Sequence, residues 1–402
     1  MYLNAALLAV FALLFALVSG RIERSRLSGP IVFVLGGVLL GPISGRLALP
    51  LTLDDLRVLA EATLALVLFC DAANADRARI RQSGFLPRRL LLVGLPLTVL
   101  LGFVAALGLL PGLAVVEAAL VAAILAPTDA ALGRPVVTNP AVPAEIREGL
   151  NVESGLNDGI CVPLVILLLE VAVETEVAGS PIRHIMGTVV EEIGIGLLVG
   201  GALTLAATGL VHRAAAAGWI GASWRGLPAV ALAVACFALA QEAGGSGFIA
   251  CFVGGLVFGA RLPHEHHVLL KGAESAGEAM ALLTWVVFGA VVVWSVADFV
   301  TPAVVAYAVL SLTLVRMLPV ALALAGTALP RTDRLFIGWF GPRGLASIVF
   351  GVLVLDAELP GSDTIGAVVV VTVVLSVLAH GVTANPLVRA LAPGWRARAS
   401  GG

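Results

Sequence analysis

The sequence predicts an all-α polytopic membrane protein: about 13 transmembrane helices in two inverted six-helix repeats, with broken helices crossing in the core. Three observations lead there. The 402 residues are 59% hydrophobic and only 12% charged, with a mean hydropathy of +1.05, far from the roughly 25% charged composition of soluble domains. Apolar runs recur at the length needed to cross a hydrocarbon core of about 30 Å. The basic residues alternate in abundance from loop to loop, as the cytoplasmic excess of Lys and Arg requires.

In order, the expected spans are 2–19, 30–46, 53–75, 88–110, 114–133, 147–174, 184–212, 225–243, 245–260, 272–296, 302–327, 333–355 and 364–391. The eighth and ninth are separated only by a short polar stretch at 241–245. Of 24 basic residues, 19 follow odd-numbered spans, three follow even-numbered ones, and Arg316 and Arg343 lie inside spans. That asymmetry puts the N-terminus outside and the C-terminus in the cytoplasm, which an odd number of spans demands. The first run is read as a retained span and not a signal peptide, because no positive charge precedes it and its arginines follow it. The whole chain, 1–402, is expected to be a single membrane transport domain with no soluble domain. Scattered arginines form no patch for nucleic acid. Cys70, Cys161, Cys236 and Cys251 lie in apolar runs without a CxxC and are expected to be buried thiols.

Two spans contain a helix breaker beside a charge. The fifth holds Ala126-Pro127-Thr128-Asp129 and the twelfth Gly341-Pro342-Arg343-Gly344. With span seven as a linker helix (about 184–212), repeat one covers about 1–176 and repeat two about 224–392, and the breaks fall at corresponding places. With span seven between them, the two sets of six spans enter from opposite sides, so the repeats are inverted. Interrupted helices at matching positions in inverted repeats point to a transporter's midplane binding site.

Polar density supports that reading at 151–161, where Glu153, Ser154, Asn157 and Asp158 precede a run without charge. On a helix these four fall within an arc of about 140°. Ionisable groups inside spans are costly enough to demand a role. Freed carbonyls at Thr128 and Asp129, with oxygens from Ser154, Asn157 and Asp158, make an all-oxygen set for a monovalent cation, Na⁺ or more loosely Li⁺ or K⁺. Asp158, Ser154 and Thr128 are the expected metal ligands for Na⁺.

Burial disfavours the charged carboxylate, so H⁺ and cation compete for Asp158. This is the logic of a secondary active sodium/proton antiporter by alternating access. One titrating carboxylate, beside an amide that binds no proton, makes one H⁺ per Na⁺ the simplest count, an electroneutral cycle. Glu153 and Arg343 are expected to form a structural ion pair across the repeat interface. Asp129 is divided between direct ligation and a supporting role at a helix terminus. Arg316 either fixes packing or balances Asp71, Glu274 or Glu278. Potassium/proton antiport is the alternative. An intramembrane aspartyl protease built on Asp129 and Asp158 is disfavoured, since no Gly-x-Gly-Asp precedes the second acid. No enzyme activity and no bound cofactor beyond the transported ions is expected.

Together with Ser246-Gly247-Phe248-Ile249 and His380-Gly381-Val382-Thr383, these motifs resemble the monovalent cation/proton antiporters of the NhaP-like sodium/proton exchanger type over nearly the whole chain. The resemblance implies a homodimer in the plasma or inner membrane, with a dimerisation domain and a mobile core domain. It also implies elevator-like electroneutral exchange, ion contacts at Thr128, Asp129, Ser154, Asn157 and Asp158, and the Glu153–Arg343 pair. Two positions depart from it: Ala130 stands where Pro usually follows Thr-Asp, leaving the break to Pro127, and Gly155 stands where a larger apolar residue is common.

Weaker signals remain. The His264, His266, His267 loop is expected to be a solvated cytoplasmic turn in preference to a proton sensor or metal site. His184, His212 and His380 are assigned no chemistry. Asp71 is a minor candidate for lining a cytoplasmic funnel, and Asp356, Glu358 and Asp363 form an outward acidic loop.

Overall fold

The computed structural model describes residues 2–22, 28–40, 53–75, 85–129, 131–177, 182–262 and 266–400. Ala130, His264 and the loop arginines Arg24, Arg26, Arg46, Arg77, Arg79 and Arg81 lie outside them. The architecture is helical throughout the described residues. The helices are α1 (Tyr2–Ile22), α2 (Gly29–Leu40), α3 (Leu53–Asn74), α4 (Leu86–Leu109), α5 (Val115–Ile124), α6 (Ala144–Val177) and α7 (Ile182–Ala216). They continue as α8 (Leu227–Glu242), α9 (Gly247–Arg261), α10 (His266–Val287, running on through Phe288–Val292 to Val293–Ser295), α11 (Pro302–Ala323), α12 (Arg331–Trp339), α13 (Leu345–Asp356) and α14 (Ser362–Ser400). Among the described residues every expected run contains helix, and the fifth and twelfth are broken within it. Among the described residues seven helices are long and apolar enough to cross a membrane, and α1, α2, α5, α9 and α13 contribute shorter apolar helices.

Side chains that a soluble protein would bury, such as Leu13, Leu17, Leu92, Leu198 and Leu210, are exposed. Exposed leucines on helices of this length are what a hydrocarbon solvent favours. Two local features went unmarked in the sequence: π turns at Leu90–Gly94 within α4 and at Phe288–Val292 within α10.

The helices form two compact units that interleave along the chain. The first comprises Met1–Val58, Phe85–Ser154 and Leu282–Gly402; the second comprises Leu59–Gly84 and Gly155–Ala281. Helices α3, α6 and α10 therefore change unit along their length.

In the second unit, α9 packs against α3 backbone to backbone. A Cβ at Gly255 or Gly259, one turn apart, would land on the carbonyls of Phe69 and Ala73. Small residues at such spacing let membrane helices approach closely. Around this seam Phe69, Phe258, Cys236, Cys251 and Leu270 form one apolar cluster. All four cysteines are buried and none is in a disulfide.

The first unit is centred on Leu86, Ile146, Leu150, Phe336, Phe340, Val388 and Trp395. Here α14 acts as a long brace along α12. Asp333 in the first turn of α12 is buried and accepts hydrogen bonds from Trp395 Nε1 at 3.0 Å and Arg398 Nη2 at 2.7 Å. At the other end of α12, Trp339 Nε1 donates to Thr383 Oγ1 at 2.9 Å. The buried Glu117 ties α5 to the turn before α14, accepting from Ala114 N at 2.8 Å and Gly361 N at 2.7 Å. Of the acidic loop, Asp356 pairs with Arg57.

Candidate functional site: two helix breaks stitched together

Pro127 removes a backbone donor, and its ring opposes the carbonyl four residues earlier. Accordingly α5 stops at Ile124, residues 127–129 are non-helical, and one turn, Arg134–Val137, resumes beyond. The second break follows the same logic. Helix α12 ends at Trp339, residues 340–344 are non-helical, and α13 begins at Leu345.

The two breaks lie in the same unit and complete each other's hydrogen bonding. Asp129 N donates to Pro342 O at 2.8 Å. Leu345 N, first in α13, donates to Asp129 Oδ2 at 3.0 Å, while Asp129 Oδ1 accepts from Ala131 N at 2.8 Å and Leu132 N at 3.4 Å. A carboxylate at a helix N-terminus satisfies an orphan N–H and meets the positive end of the dipole. Ser347 Oγ of α13 donates to Ile124 O, the last carbonyl of α5, at 2.9 Å. Both glycines of 341–344 are required by close approach: a Cβ at Gly344 would fall on the Asp129 carboxylate, and one at Gly341 on the Arg316 guanidinium.

The buried acid Glu153 is neutralised by a different arginine from the one expected. Glu153 is held by Arg316 through Nη1–Oε1 at 2.6 Å and Nη2–Oε2 at 2.8 Å, with both side chains 1% exposed. Arg343, also buried, turns Nη1 to Gly341 O at 3.0 Å and Pro127 O at 3.3 Å. The expectation of a Glu153–Arg343 pair is thus corrected, and so are the partners considered for Arg316. The physical reason lies in the breaks. Two interrupted helices leave carbonyls with partial negative charge, and Arg343, anchored inside one break, is the cation that reaches them. Arg316 stands in the segment Leu314–Ala323, past an interruption of α11 at Thr313, and offers its fork edge-on, the geometry that a carboxylate matches bidentately.

Of the expected ion contacts, Thr128, Asp129 and Ser154 come together in this unit. Ser154 Oγ donates to Thr128 O at 2.5 Å, and both residues are buried. Beside them is a cavity of about 10 Å³ lined by Thr128, Asp129, Ser154, Leu150, Phe340 and Pro342, among others. That is room for about one water-sized particle.

Asn157 and Asp158 follow on the same helix α6 in the second unit, 0% and 8% exposed. Within that unit α3 approaches α6 at Gly155, whose added Cβ would sit 3.5 Å from Asp71 Cβ. Asn74, one turn beyond Asp71 on α3, donates to Glu274 of α10 at 2.8 Å. Asp71 therefore lies closer to the polar arc of α6 than its minor standing in the sequence suggested. A signal was available, since Asp71 and Asn74 are helix neighbours at i, i+3 in an apolar run.

Comparison with known proteins agrees with this architecture. The family described as sodium/hydrogen exchanger, transmembrane, matches residues 8–390. A K(+)/H(+) antiporter NhaP of Alkalimonas amylolytica is 26% identical over 396 residues, covering 96% of this chain and 67% of the relative. A K(+)/H(+) antiporter NhaP2 of Shewanella sp. (strain ANA-3) is 24% identical over 376 residues, covering 88% and 64%. The chain thus spans about two thirds of the length of these curated relatives. Among solved structures, the sodium proton antiporter MjNhaP1 from Methanocaldococcus jannaschii at pH 8 superposes with a TM-score of 0.73 at 20% identity, covering 97% of this chain and 99% of that one. By its fold and by a match over almost its whole length, the chain belongs to the sodium/hydrogen exchanger transmembrane family.

Proposed function

We propose that the chain is a secondary active sodium/proton antiporter, in which H⁺ and Na⁺ or Li⁺ compete for Asp158. The observation that carries the reading is the stitched pair of breaks, in which the freed carbonyl of Thr128 meets Ser154 on the very helix that continues to Asn157 and Asp158. Interrupted helices supply such carbonyls to cations without breaking regular structure elsewhere. Asn157, Ser154 and Thr128 act as neutral oxygen donors. Asp129 is assigned to the scaffold, because three backbone N–H groups occupy its carboxylate.

A carboxylate neutralised by either a proton or a cation crosses with equal net charge. Exchange is then one for one and indifferent to membrane potential. Thirteen spans in inverted repeats, an external N-terminus, a plasma or inner membrane location and a homodimer are parts of the same proposal. Potassium/proton exchange is the second reading, and the chain's similarity to the K(+)/H(+) antiporters NhaP and NhaP2 favours it.

The test is reconstitution into proteoliposomes with a trapped pH dye and a preset ΔpH. Addition of Na⁺ or Li⁺ should dissipate the gradient, at the same rate with and without an imposed potential. Dissipation by K⁺ alone would establish the second reading, and no response to any of the three ions would refute both.

A further inference from the structure

A ladder bond is missing at the second break, and two side chains of α14 stand in its place. In an unbroken helix Arg343 N–H would donate to Trp339 O, four residues earlier. Here Arg343 N donates instead to Ser376 Oγ at 2.7 Å. Ser376 Oγ lies 3.2 Å from His380 Nδ1, and His380 Nε2 lies 2.8 Å from Trp339 O. Ser376 and His380 are one turn apart on α14, and Arg343, Ser376 and His380 are all at most 1% exposed. We propose that Ser376 and His380 are a positioning pair spliced into the α12–α13 hydrogen-bond ladder, which holds the break open at fixed width and so sets Arg343 and Pro342 against the first break.

The chemistry of the imidazole decides which of these contacts are bonds. Trp339 O and Ser376 O are both only acceptors, so each 2.8 Å contact is a hydrogen bond where the nitrogen it meets carries a hydrogen, and the splice to α12 uses the one on Nε2. On the other side Nδ1 meets both Ser376 Oγ and, at 2.8 Å, Ser376 O. In either case the ring connects Ser376 to the end of α12. The ring also lies against Trp339, with centroids 5.0 Å apart, which keeps Nε2 aimed at the carbonyl. The consequence reaches the site through two bonds already described, Pro342 O to Asp129 N and Arg343 Nη1 to Pro127 O. Among the described residues His380 meets the cavity lining at Phe340, whose ring centroid is 6.3 Å from the imidazole, and the part of the pair is geometric.

The inference rests on the exchange reading only for its transport readout. With the full chain in liposomes, ¹⁵N imidazole spectra of the wild type, differenced against His380→Gln, should show a protonated Nε2. Gln keeps a donor near the Nε2 position, so His380→Gln should exchange within about threefold of wild type. His380→Phe and Ser376→Ala should each lose about tenfold, the effect of one buried hydrogen bond, and the double variant should lose no more than His380→Phe alone.

An unprotonated Nε2, a wild-type rate in His380→Phe, or losses that multiply in the double variant would each overturn the proposal. If the wild type exchanges no ion at all, the exchange reading fails. The spectrum and the non-additivity of the melting temperatures of the same variants then still decide for or against the splice.

Discussion

At the first break the chain supplies most of its own repair: Pro127 removes the donor, and two residues later Asp129 folds back to accept from Ala131 and Leu132 while its second oxygen caps α13. At the second break, residues 341–344 contribute the bond from Arg343 Nη1 to Gly341 O and the turn from Gly341 N to Trp339 O. Further bonds come from α14 and from the first break. The difference teaches where each break is vulnerable. The first fails through its own acid, whereas the second fails through its neighbours.

Charge follows the same division, and the largest expected effects test it. Glu153 and Arg316 are both desolvated, so removing one partner leaves an uncompensated buried charge and costs about 3–5 kcal/mol. Glu153→Gln and Arg316→Met should each lower the melting temperature sharply, and the double variant should be more stable than either. Arg343→Met should not be rescued by Glu153→Gln, because Arg343 Nη1 donates to carbonyls and Glu153 is held by Arg316. Rescue of Arg343→Met would restore the pairing first expected from the sequence.

A middle tier of effects compares the breaks directly. Asp129→Asn keeps an acceptor but loses the charge that meets three N–H groups, at a cost of about 1.5–3 kcal/mol. Gly344→Ala pushes a methyl group into that same carboxylate and should cost about 1–3 kcal/mol, measured by the thermal melt. If Gly344→Ala melts like wild type, the close approach of the two breaks is wrong.

The smallest effect belongs to Gly155. Its added Cβ would meet Asp71 at an ordinary 3.5 Å, so Gly155→Ala should change stability by no more than about 0.5 kcal/mol and leave exchange intact. A large loss would show that α3 and α6 approach more tightly there than this spacing allows.

Much of this was legible in the sequence. Hydropathy runs located the helices because a bilayer fixes their length, and both breaks were visible because Pro or Gly beside a charge is conspicuous in an apolar run. The clustering of Thr128 with Ser154 followed from the freed carbonyl and from helical spacing.

The partner of Glu153 was not legible. Arg316 and Arg343 both sit in apolar spans, and only the interruption at Thr313, which carries neither Gly nor Pro, gives Arg316 its approach. The roles of Ser376 and His380 were equally hidden, since a polar pair at i, i+4 reads as internal to one helix until the missing bond from Arg343 to Trp339 is seen. The π turns in α4 and α10 leave no mark in hydropathy.

The most direct test of the central claim is sodium-driven dissipation of a preset ΔpH in proteoliposomes holding either the wild type or Asp158→Asn. The account predicts full dissipation with the wild type and none above protein-free liposomes with Asp158→Asn, with both proteins folded by thermal melt. Sodium-dependent dissipation that survives in Asp158→Asn at the wild-type rate would contradict it.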